Sequence, residues 1–234
     1  MLRKIFSFFG YTLTKTKKST SIDEIISLRL KHKPAHILLD VGANKGKFTK
    51  YFYKKFKKYY LFEPNPKLAN ELNLKFQDPN IKILNFGTSD VEKQTILNIT
   101  NDSAISLSSI KDQTEELKNN FRNTKVVEKI DVKIKRLDKY LDTIYLNNEK
   151  FFVKIDTQGC DLETLIGLGK YISQVKFIKI EMPCVKLYQT SYNHWDILDF
   201  LRKNNFEPVY FENISRTNDG KLIEYDCFFE KNDV

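Results

Sequence analysis

The sequence predicts an α/β fold in which helices cover both faces of a mostly parallel sheet, and the sheet ends in an antiparallel hairpin strand. From residue 37 onward, continuous apolar runs alternate with segments of helical period, as in strand–helix–strand units with right-handed crossovers. Near the C-terminal end, "FEPVYFENI" and "IEYDCFFEK" flank Asn218-Asp219-Gly220, a hairpin signal. A parallel sheet that closes with a hairpin must contain an antiparallel strand.

The chain has 234 residues, of which 41% are hydrophobic and 29% charged. This length and balance predict one folded domain over residues 35–234, preceded by a helical extension over residues 1–34. Within the extension, Ser21 to Glu24 form a capping box that starts a helix. The first segment, "MLRKIFSFFGYTL", could place its phenylalanines and basic residues on an anionic membrane surface, but packing on the protein's own core or fraying is an equal alternative.

The first half of the domain reads as three strands separated by two helices. "HILLDV" has the length and apolar continuity of a strand buried on both faces. The next segment brings Phe48, Tyr51, Phe52 and Phe56 to one helical face, and "YYLFE" follows as the second strand. "NPKLANELNLKF" is predicted as a helix and "NIKILNFG" as the third strand.

The alternation breaks between residues 88 and 150, which we interpret as an insertion. There "TILNIT" and "VVEKIDVKIKR" alternate like half-exposed strands, and "DQTEELKNNF" is predicted as a helix. "FFVKID" then resumes the buried-strand pattern, "CDLETLIGLGKY" is helical and "VKFIKIEM" is another strand. In the last helix, "NHWDILDFLRKNN", we expect Trp195, Leu198 and Leu201 to anchor the core.

Charge and cysteine content limit the partners and the compartment. The formal net charge of +9 favours an anionic partner such as nucleic acid, a membrane surface or an acidic glycan, but runs such as "YKKFKKYY" also suit a solvated helix face. Three widely spaced cysteines form no zinc pattern and indicate a reduced, cytoplasmic protein. We see no apolar run of about 18 residues and no secretory signal, so the expected location is cytoplasmic, with peripheral contact at the inner membrane surface through the first segment.

The stretch "LLDVGANKGKFTKYFYKKF" contains a glycine turn after the first strand. A Walker motif would need one more residue and a hydroxyl where Phe48 stands, so a triphosphate is not expected. The GxGxxG fingerprint also fails, because Asn44 replaces the middle glycine and would crowd a pyrophosphate. What remains is a strand, a glycine turn and a helix start whose N–H groups could face a carboxylate or a phosphate.

The second strand ends at Glu63, about twenty residues beyond the turn, where a carboxylate can bind both hydroxyls of a ribose. The turn and this acid together favour a nucleoside that lacks a pyrophosphate. A strand-to-helix turn with no cofactor remains the alternative at this point.

Several motifs, taken in order, extend this interpretation. "DVGANKGKFT", "FEPNP", "NFGTSD", "LDKYL", "VKIDTQGCDLETLIG", "IEM…LY" and "LRKNNFEPVYF" resemble the FkbM family of S-adenosylmethionine-dependent methyltransferases from about Ile37 to Phe229. The resemblance implies a class I, Rossmann-like methyltransferase fold with a seven-stranded sheet and an antiparallel seventh strand. It also implies O-methylation, commonly of sugars in surface polysaccharides, glycolipids or natural products.

The resemblance also assigns residues to the site. The methionine end of S-adenosylmethionine would lie on the glycine turn, the ribose on Glu63 and the adenine beside residues 85–90. The cofactor-binding residues implied are Asp40, Gly42, Ala43, Asn44, Gly46, Glu63, Asn65, Gly87 and Thr88. The catalytic residues implied are Asp156, Gln158 and Glu181. Many family members have Glu where this chain has Gln158, which removes a base, although an amide can still orient a hydroxyl.

Methyl transfer from a sulfonium depends mainly on alignment, and a carboxylate near the acceptor hydroxyl helps to remove its proton. Asp156 is the first candidate for this base because ligands of open α/β sheets bind outside the carboxyl ends of the strands, although it could instead cap the following helix. Glu181 could bind substrate hydroxyls or pair with a lysine. Asp156, Asp161 and Glu181 could also hold a cation, but we expect no metal. For His194, capping or packing is favoured over catalysis.

Two rival functions remain open. An RNA or protein methyltransferase suits the basic charge, but the sequence has no appended RNA-binding module and no Asn-Pro-Pro-aromatic motif for a flat amine. A non-catalytic module of the same fold is the second rival. The preferred partner is a sugar or glycolipid acceptor, with no stable nucleic-acid complex, and the sequence names neither the acceptor nor the oligomeric state.

Overall fold

A computed structural model describes residues 20–144, 146 and 148–232. The helices, in chain order, are α1 (Ile22–His32), α2 (Lys47–Tyr51), α3 (Pro66–Lys75), α4 (Glu115–Asn120), α5 (Leu137–Leu141), α6 (Asp161–Gly167) and α7 (His194–Lys203). Two 3₁₀ helices span Ile105–Leu107 and Gly169–Gln174. Among these described helices, none combines the length and the apolar composition needed to cross a bilayer.

Seven strands form the main sheet in the order β3-β2-β1-β7-β8-β10-β9. These strands are β1 (Ile37–Val41), β2 (Lys58–Phe62), β3 (Ile81–Leu84), β7 (Phe151–Ile155), β8 (Val175–Pro183), β9 (Phe206–Arg216) and β10 (Leu222–Lys231). Within this sheet, β3, β2, β1, β7 and β8 are neighbours in that order, and each pairs in parallel with the next. Strand β10 pairs antiparallel with both β8 and β9. The predicted parallel sheet with an antiparallel C-terminal hairpin strand is confirmed.

The segment predicted as an insertion builds a second, three-stranded sheet. Its strands are β4 (Gly87–Thr88), β5 (Lys93–Thr100) and β6 (Val126–Lys135), in the order β4-β6-β5. The two predicted strands and the predicted helix of this segment all form. Gly87 is the last residue of the predicted third strand, but β3 ends at Leu84, and Gly87 pairs with β6 together with Thr88.

Helices cover both faces of the main sheet, as predicted. On one face, buried residues of α1, α2 and α3 pack against Leu38, Leu61 and Phe152. On the other face, buried residues of α5, α6 and α7 pack against Leu39, Val153 and neighbouring strand residues. The predicted site residues Gly42, Glu63, Asp156 and Glu181 lie at or near the carboxyl ends of β1, β2, β7 and β8.

Helix α1 is fixed to the far edge of the sheet. The capping box between Ser21 and Glu24 forms as predicted, and the side chains of Ile22 and Ile26 are buried. Glu212 on β9 accepts the Ile22 N–H at 2.8 Å, and Glu230 on β10 accepts from Arg29 Nε at 2.6 Å. The first segment, residues 1–13, for which membrane contact, core packing and fraying were the alternatives, lies outside the described residues.

Helix α2 is shorter than the sequence pattern predicts. It ends at Tyr51, whose side chain is 54% exposed rather than buried on a shared face. Phe52 and Phe56 are buried, but they reach the core from an irregular turn, because Lys54 takes a left-handed conformation (φ 66°) that no α-helix can contain.

The expectation that Trp195 anchors the core is wrong. Trp195 lies in the first turn of α7, two residues after the capping residue Asn193, and is 66% exposed. Ile197 and Leu201 are spaced by one helical turn and form the buried stripe in its place. The indole therefore lies outside that stripe.

An aromatic cluster around Phe152 forms the centre of one core. The Phe152 ring is within 6.4 Å, centroid to centroid, of the rings of Phe48, Phe52, Phe56, Phe177 and Phe228. Phe152 is fully buried on β7, whose carboxyl end carries the candidate site. Packing at this residue therefore supports the strand that positions the site.

We expect Phe152→Ala to lower the free energy of unfolding by about 3–5 kcal/mol, because the cavity would remove ring contacts on several sides. Leu74→Ala is the control, since Leu74 is 80% exposed and should change stability by less than about 0.5 kcal/mol. Urea denaturation of both variants measures the difference. Similar values for the two variants would contradict a core centred on Phe152.

Candidate functional site

The turn after β1 lies directly against the end of β7. Gly42 has φ +71°, and a Cβ built on it would lie 1.9 Å from the carbonyl oxygen of Asp156. The Gly42 and Ala43 N–H groups donate to the Phe62 carbonyl at 3.0 and 3.1 Å. Only glycine fits at position 42, and the close approach brings the ends of β1, β2 and β7 together.

Two other residues of this turn also take left-handed conformations. Asn44 has φ 49° and Gly46 has φ 66°. A Cβ on Gly46 would lie 2.6 Å from the Phe76 ring and 2.7 Å from Leu72 Cδ2, so this glycine faces the packing of α3. Gly46 thus contributes to the shape of the turn from beneath it.

Glu63, at the end of β2, is buried beneath the turn with 5% of its surface exposed. Its Oε2 accepts the Asn44 N–H at 2.7 Å and its Oε1 accepts the Asn65 N–H at 2.9 Å. Burial raises the pKa of Glu63 to about 7, against the lowering effect of these two N–H donors. Each carboxylate oxygen keeps a second acceptor position for a ligand.

A crevice opens between this turn, the end of β2 and the insertion sheet. We call it the glycine-turn crevice, and its lining includes Gly42, Asn44, Glu63, Asn65, Gly87, Thr88, Asp156, Thr157 and Gln158. Apolar side chains complete the lining, among them Phe62, Leu68, Leu97 and Ile134. The charged residues in this lining are Glu63 and Asp156, and the described residues contribute no lysine or arginine to it.

The predicted adenine-side residues take several different positions. Gly87 and Thr88 line the crevice, and the Thr88 hydroxyl lies 2.8 Å from that of Thr164. Asn85 instead donates from Nδ2 to the carbonyl oxygens of Glu63 and Pro64, at 2.9 and 3.0 Å. Asn85 therefore holds the segment after β2 in place.

Lys154 on β7 is buried beneath the site, with 9% of its surface exposed. Its Nζ donates to the carbonyl oxygens of Gly42 at 2.6 Å and Val41 at 3.3 Å. The same atom lies 3.4 Å from Asp40 Oδ1 and 3.5 Å from Asp156 Oδ2. Burial alone would lower the pKa of Lys154, but the carboxylates of Asp156 and Asp40 outweigh it and raise that pKa.

Asp40, predicted to bind the cofactor, is fully buried below the turn. Its Oδ2 accepts from the Thr49 hydroxyl at 2.7 Å, and its Oδ1 faces Lys154. The structure thus places Asp40 behind the crevice, where it holds Lys154 and α2.

A second, wider pocket lies on the other side of the turn. We call it the lysine pocket, and its lining is Asp23, Gly42, Ala43, Asn44, Lys45, Lys47, Phe48, Tyr51, Asp102, Ser103, Ile105, Ser106, Lys154, Asp156 and Lys179. It shares Gly42, Asn44 and Asp156 with the glycine-turn crevice, as well as the 3₁₀ residues Ile105 and Ser106. Asp156, whose side chain is 39% exposed, therefore faces both spaces.

Gln158 connects the two other candidate catalytic residues. Its Nε2 donates to Asp156 Oδ1 at 2.7 Å and to Glu181 Oε2 at 3.3 Å. Its Oε1 accepts from the Tyr188 hydroxyl at 2.8 Å, and its backbone carbonyl accepts from Ser109 Oγ at 2.6 Å. The structure thus brings Asp156, Gln158 and Glu181 together, with the amide as the bridge between two carboxylates.

Asp161, rather than Asp156, satisfies the turn before α6. Asp161 accepts the Thr157 N–H and hydroxyl at 3.0 Å each and the Gly159 N–H at 3.2 Å. No group of three or more His, Cys, Asp or Glu is arranged to hold a metal within the described part of the chain. The His194 ring is tilted by 40° against that of Trp195, with 4.6 Å between centroids, and its Nδ1 lies 3.3 Å from the Pro183 carbonyl, a packing position.

The carboxylates around Gln158 perturb one another. Burial, and then the neighbouring acids Glu224 and Asp156, raise the pKa of Glu181 well above its ordinary value. Burial, followed by Asp156 and Asp226, raises the pKa of Glu224 to about 7. Because Asp156, Glu181 and Glu224 lie close together, a hydrogen-bond donor at position 158 is more favourable there than another carboxyl group would be.

Sequence reasoning missed Lys154, Tyr188 and Glu224. Lys154 is the polar residue in the apolar run "FFVKID", and a lysine in a strand buried on both faces is itself a signal of a buried ion pair. Tyr188 belongs to the quoted motif "IEM…LY" but was given no role there, and Glu224 carries no signal, because these residues come from the segment after β8 and from β10 and meet the site through folding.

A model of the family described as "Methyltransferase FkbM domain" matches residues 40–208. No curated protein matches the sequence. This matched range contains every candidate site residue that the sequence assigned.

Solved structures share the outline of the fold. They include a precorrin-6y C5,15-methyltransferase from Geobacter metallireducens (12% identity, 95% of this chain and 94% of that chain, TM-score 0.46). An N-methyltransferase from Bradyrhizobium japonicum has 10% identity over 90% of this chain and 93% of that chain, with a TM-score of 0.48. A magnesium protoporphyrin IX methyltransferase from Synechocystis with bound SAM has 10% identity over 99% and 95%, with a TM-score of 0.46. Likeness at this level carries no argument about substrate.

The raised pKa of Glu224 makes a prediction about stability and pH. The pKa of Glu224 is raised to about 7 in the folded protein, so as the pH rises this residue ionises in the unfolded chain before it ionises in the folded one. Its contribution to stability is therefore lost between about pH 4.5 and pH 7. Glu224→Gln should therefore raise the unfolding free energy by about 1–2 kcal/mol at pH 8 and by almost nothing near pH 4.5. Thermal denaturation across this range measures the gain, and Glu207→Gln, an exposed acid on β9, should show none. A gain that does not change with pH would contradict the assigned cause.

Proposed function

Because the chain belongs to the FkbM methyltransferase family, we propose that it transfers a methyl group from S-adenosylmethionine to a hydroxyl of a sugar in a polysaccharide or glycolipid. The predicted family, the methyltransferase activity and the cofactor are confirmed, whereas the sugar acceptor is the part that we add. Asp156 carries this proposal, because it lies where the glycine-turn crevice meets the lysine pocket.

The glycine-turn crevice fits S-adenosylmethionine chemically. A sulfonium is a cation, and the charged groups that the described residues bring to the crevice are the acids Glu63 and Asp156, with no lysine or arginine among them to suit a pyrophosphate. Glu63 has free acceptor positions for two ribose hydroxyls, and the side chains of Phe62, Leu68 and Leu97 offer apolar surface to a flat base. Glu63 would hold the ribose, and Gly42 and Asn44 the methionine end.

When bound, S-adenosylmethionine supplies an activated methyl group, so the protein's main task is to align an acceptor with it. Asp156 would accept a hydrogen bond from the acceptor hydroxyl and take its proton as the oxygen becomes bonded to carbon. Gln158 holds Oδ1 of this carboxylate at 2.7 Å, while Lys154 lies 3.5 Å from Oδ2. These two partners fix the direction in which the Asp156 carboxylate points.

The lysine pocket supports a polyhydroxyl acceptor. Its lining combines the rings of Phe48 and Tyr51 with hydrogen-bonding groups of Asp102, Ser103 and Ser106. Aromatic faces beside carboxylate and hydroxyl groups suit a sugar ring, which presents C–H groups on its faces and hydroxyls at its edge. Glu181, on the far side of Gln158, would remain a supporting group behind Asp156.

The cofactor assignment predicts a pH-dependent affinity. Two ribose hydroxyls can donate to both oxygens of Glu63 only when the carboxyl is ionised, and its pKa in the free protein is about 7. Affinity for S-adenosylhomocysteine should therefore rise about tenfold from pH 6 to the plateau near pH 8. Glu63→Gln should bind more weakly and lose this dependence, whereas Glu71→Gln, an exposed acid on α3, should keep both.

Isothermal titration calorimetry at several pH values measures these affinities. A Glu63→Gln protein with the affinity and pH profile of the parent would remove Glu63 from the cofactor site. Binding of NAD without any binding of S-adenosylhomocysteine would overturn the cofactor assignment itself.

The base assignment predicts that Asp156→Asn slows methyl transfer by about 10²–10⁴-fold, since an amide cannot take the proton. Its affinity for S-adenosylhomocysteine should stay within a few-fold of the parent, which also shows that the variant is folded. Asp102→Asn, at the other end of the lysine pocket, should change the transfer rate far less. An unaltered rate in Asp156→Asn would exclude Asp156 as the base.

The acceptor class is tested with methyl-labelled S-adenosylmethionine and separate fractions of polysaccharide, glycolipid, protein and RNA. Label in a sugar ether resists both mild base and nucleases, which supports the proposal. Label released by nuclease would identify an RNA methyltransferase, and label in protein would identify a protein methyltransferase. Cofactor binding without transfer to any fraction would favour the non-catalytic alternative.

A further inference from the structure

A lysine-rich surface lies beside the mouth of the lysine pocket. Between residues 45 and 75 the chain has nine lysines, no arginine and two acids, Glu63 and Glu71. Glu63 is buried in the site, so Glu71 is the acid of this stretch that faces solvent. Much of the protein's net charge of +9 is therefore concentrated in this stretch.

Four of these lysines form one exposed cluster. Lys75 donates from Nζ to the carbonyl oxygen of Lys45, which joins the end of α3 to the glycine turn. Partial burial, and then the charges of Lys50 and Lys47, lower the pKa of Lys75, so these ammonium groups are close in space. Within the described part of the chain, none of the four forms an ion pair with an acid, so their charge is uncompensated.

Two large side chains that are next to these lysines in the chain are exposed. Leu74, the residue before Lys75, is 80% exposed, and Tyr51 at the end of α2 is 54% exposed. An exposed leucine side chain forms no favourable interaction with water. At the boundary between water and hydrocarbon, both a leucine and the amphipathic ring of a tyrosine are accommodated.

We propose that this surface, the basic face formed by Lys45, Lys47, Lys50, Tyr51, Leu74 and Lys75, binds the surface of an anionic phospholipid bilayer. Clustered lysines are attracted to anionic head groups, while Leu74 and Tyr51 can enter the boundary beneath them. Nucleic acid is the other polyanion of comparable charge. The absence of arginine from this stretch and the exposure of Leu74 both favour the bilayer, because arginine is the usual reader of bases and a leucine adds nothing to phosphate contacts.

The basic face adjoins the lysine pocket. Lys45, Lys47 and Tyr51 belong both to this face and to the lining of that pocket. A bilayer held here would lie at the pocket mouth, and an acceptor attached to a lipid would reach Asp156 while its anchor stays in the membrane. This consequence depends on the proposed function, whereas the lipid binding itself does not.

Sedimentation of the full chain with vesicles tests the proposal. We expect binding to phosphatidylcholine vesicles that contain about one third phosphatidylglycerol, weak binding to pure phosphatidylcholine, and loss of binding at high salt. Lys50→Gln with Lys75→Gln should lower the affinity for anionic vesicles by about 10–30-fold, since each lysine near such a surface contributes on the order of 1 kcal/mol. Leu74→Gln should lower it by several fold.

Matched controls remove the same charge or apolar group elsewhere. Lys125→Gln with Lys203→Gln removes two exposed lysines outside the basic face, and Ile166→Gln changes an exposed residue of α6 on the opposite face of the sheet. Both should bind vesicles like the parent, and all variants should keep their affinity for S-adenosylhomocysteine. Intact cofactor binding separates a failure of this proposal from a failure of the proposed function.

Two results would overturn the proposal. Equal losses of vesicle binding in the basic-face and control variants would show that only net charge matters. Binding of RNA that falls in the lysine variant, together with vesicle binding that Leu74→Gln leaves unchanged, would identify the basic face as a nucleic-acid surface instead.

Discussion

The site depends on one buried ammonium group. Lys154 donates to the last carbonyl oxygens of β1 and its turn, Val41 and Gly42, while it lies between the carboxylates of Asp40 and Asp156. A buried cation is unfavourable unless it is paired and hydrogen-bonded, and here both requirements are met. Because Gly42 has no side chain, its turn can approach the Asp156 carbonyl closely enough for this network to form. The network therefore sets the distance between the cofactor turn and the candidate base.

This arrangement gives the lysine two effects on Asp156. It places a positive charge 3.5 Å from the carboxylate, and its bonds to the turn fix where that carboxylate stands relative to the glycine-turn crevice. A lysine that reached the same carboxylate from a loop would bring a positive charge to it, but would not fix the position of the carboxylate relative to the crevice. A position on the central strand β7 supplies both, because the strand is held by neighbours on either side.

The sequence predicted the parts of the fold that depend on local pattern. Strands such as β1 and β7 are buried along their whole length and mostly apolar, and Asn218-Asp219-Gly220 connects the terminal hairpin. Glu63 could be found because its spacing from the glycine turn reflects one strand–helix–strand unit. Trp195 and the length of α2 were mispredicted, because hydrophobicity alone does not show which residues face the core or where Lys54 breaks a helix. Lys154 and Tyr188 acquire their meaning only from partners that are distant in sequence.

Gln158 shows how a departure from a family pattern can be read differently with its surroundings in view. In the sequence, Gln158 stands where many family members have Glu, so a possible base is missing. In the structure, its Nε2 donates to both Asp156 and Glu181, and the Tyr188 hydroxyl donates to its oxygen, which fixes the amide's orientation. A carboxylate at position 158 would lie against the carboxylates of Asp156 and Glu181. These three groups could form hydrogen bonds with one another only if at least one of them carried a proton. The amide thus offers a hydrogen-bond donor to Asp156 at the meeting point of the two spaces and to Glu181 behind it, where burial raises the pKa of Glu181.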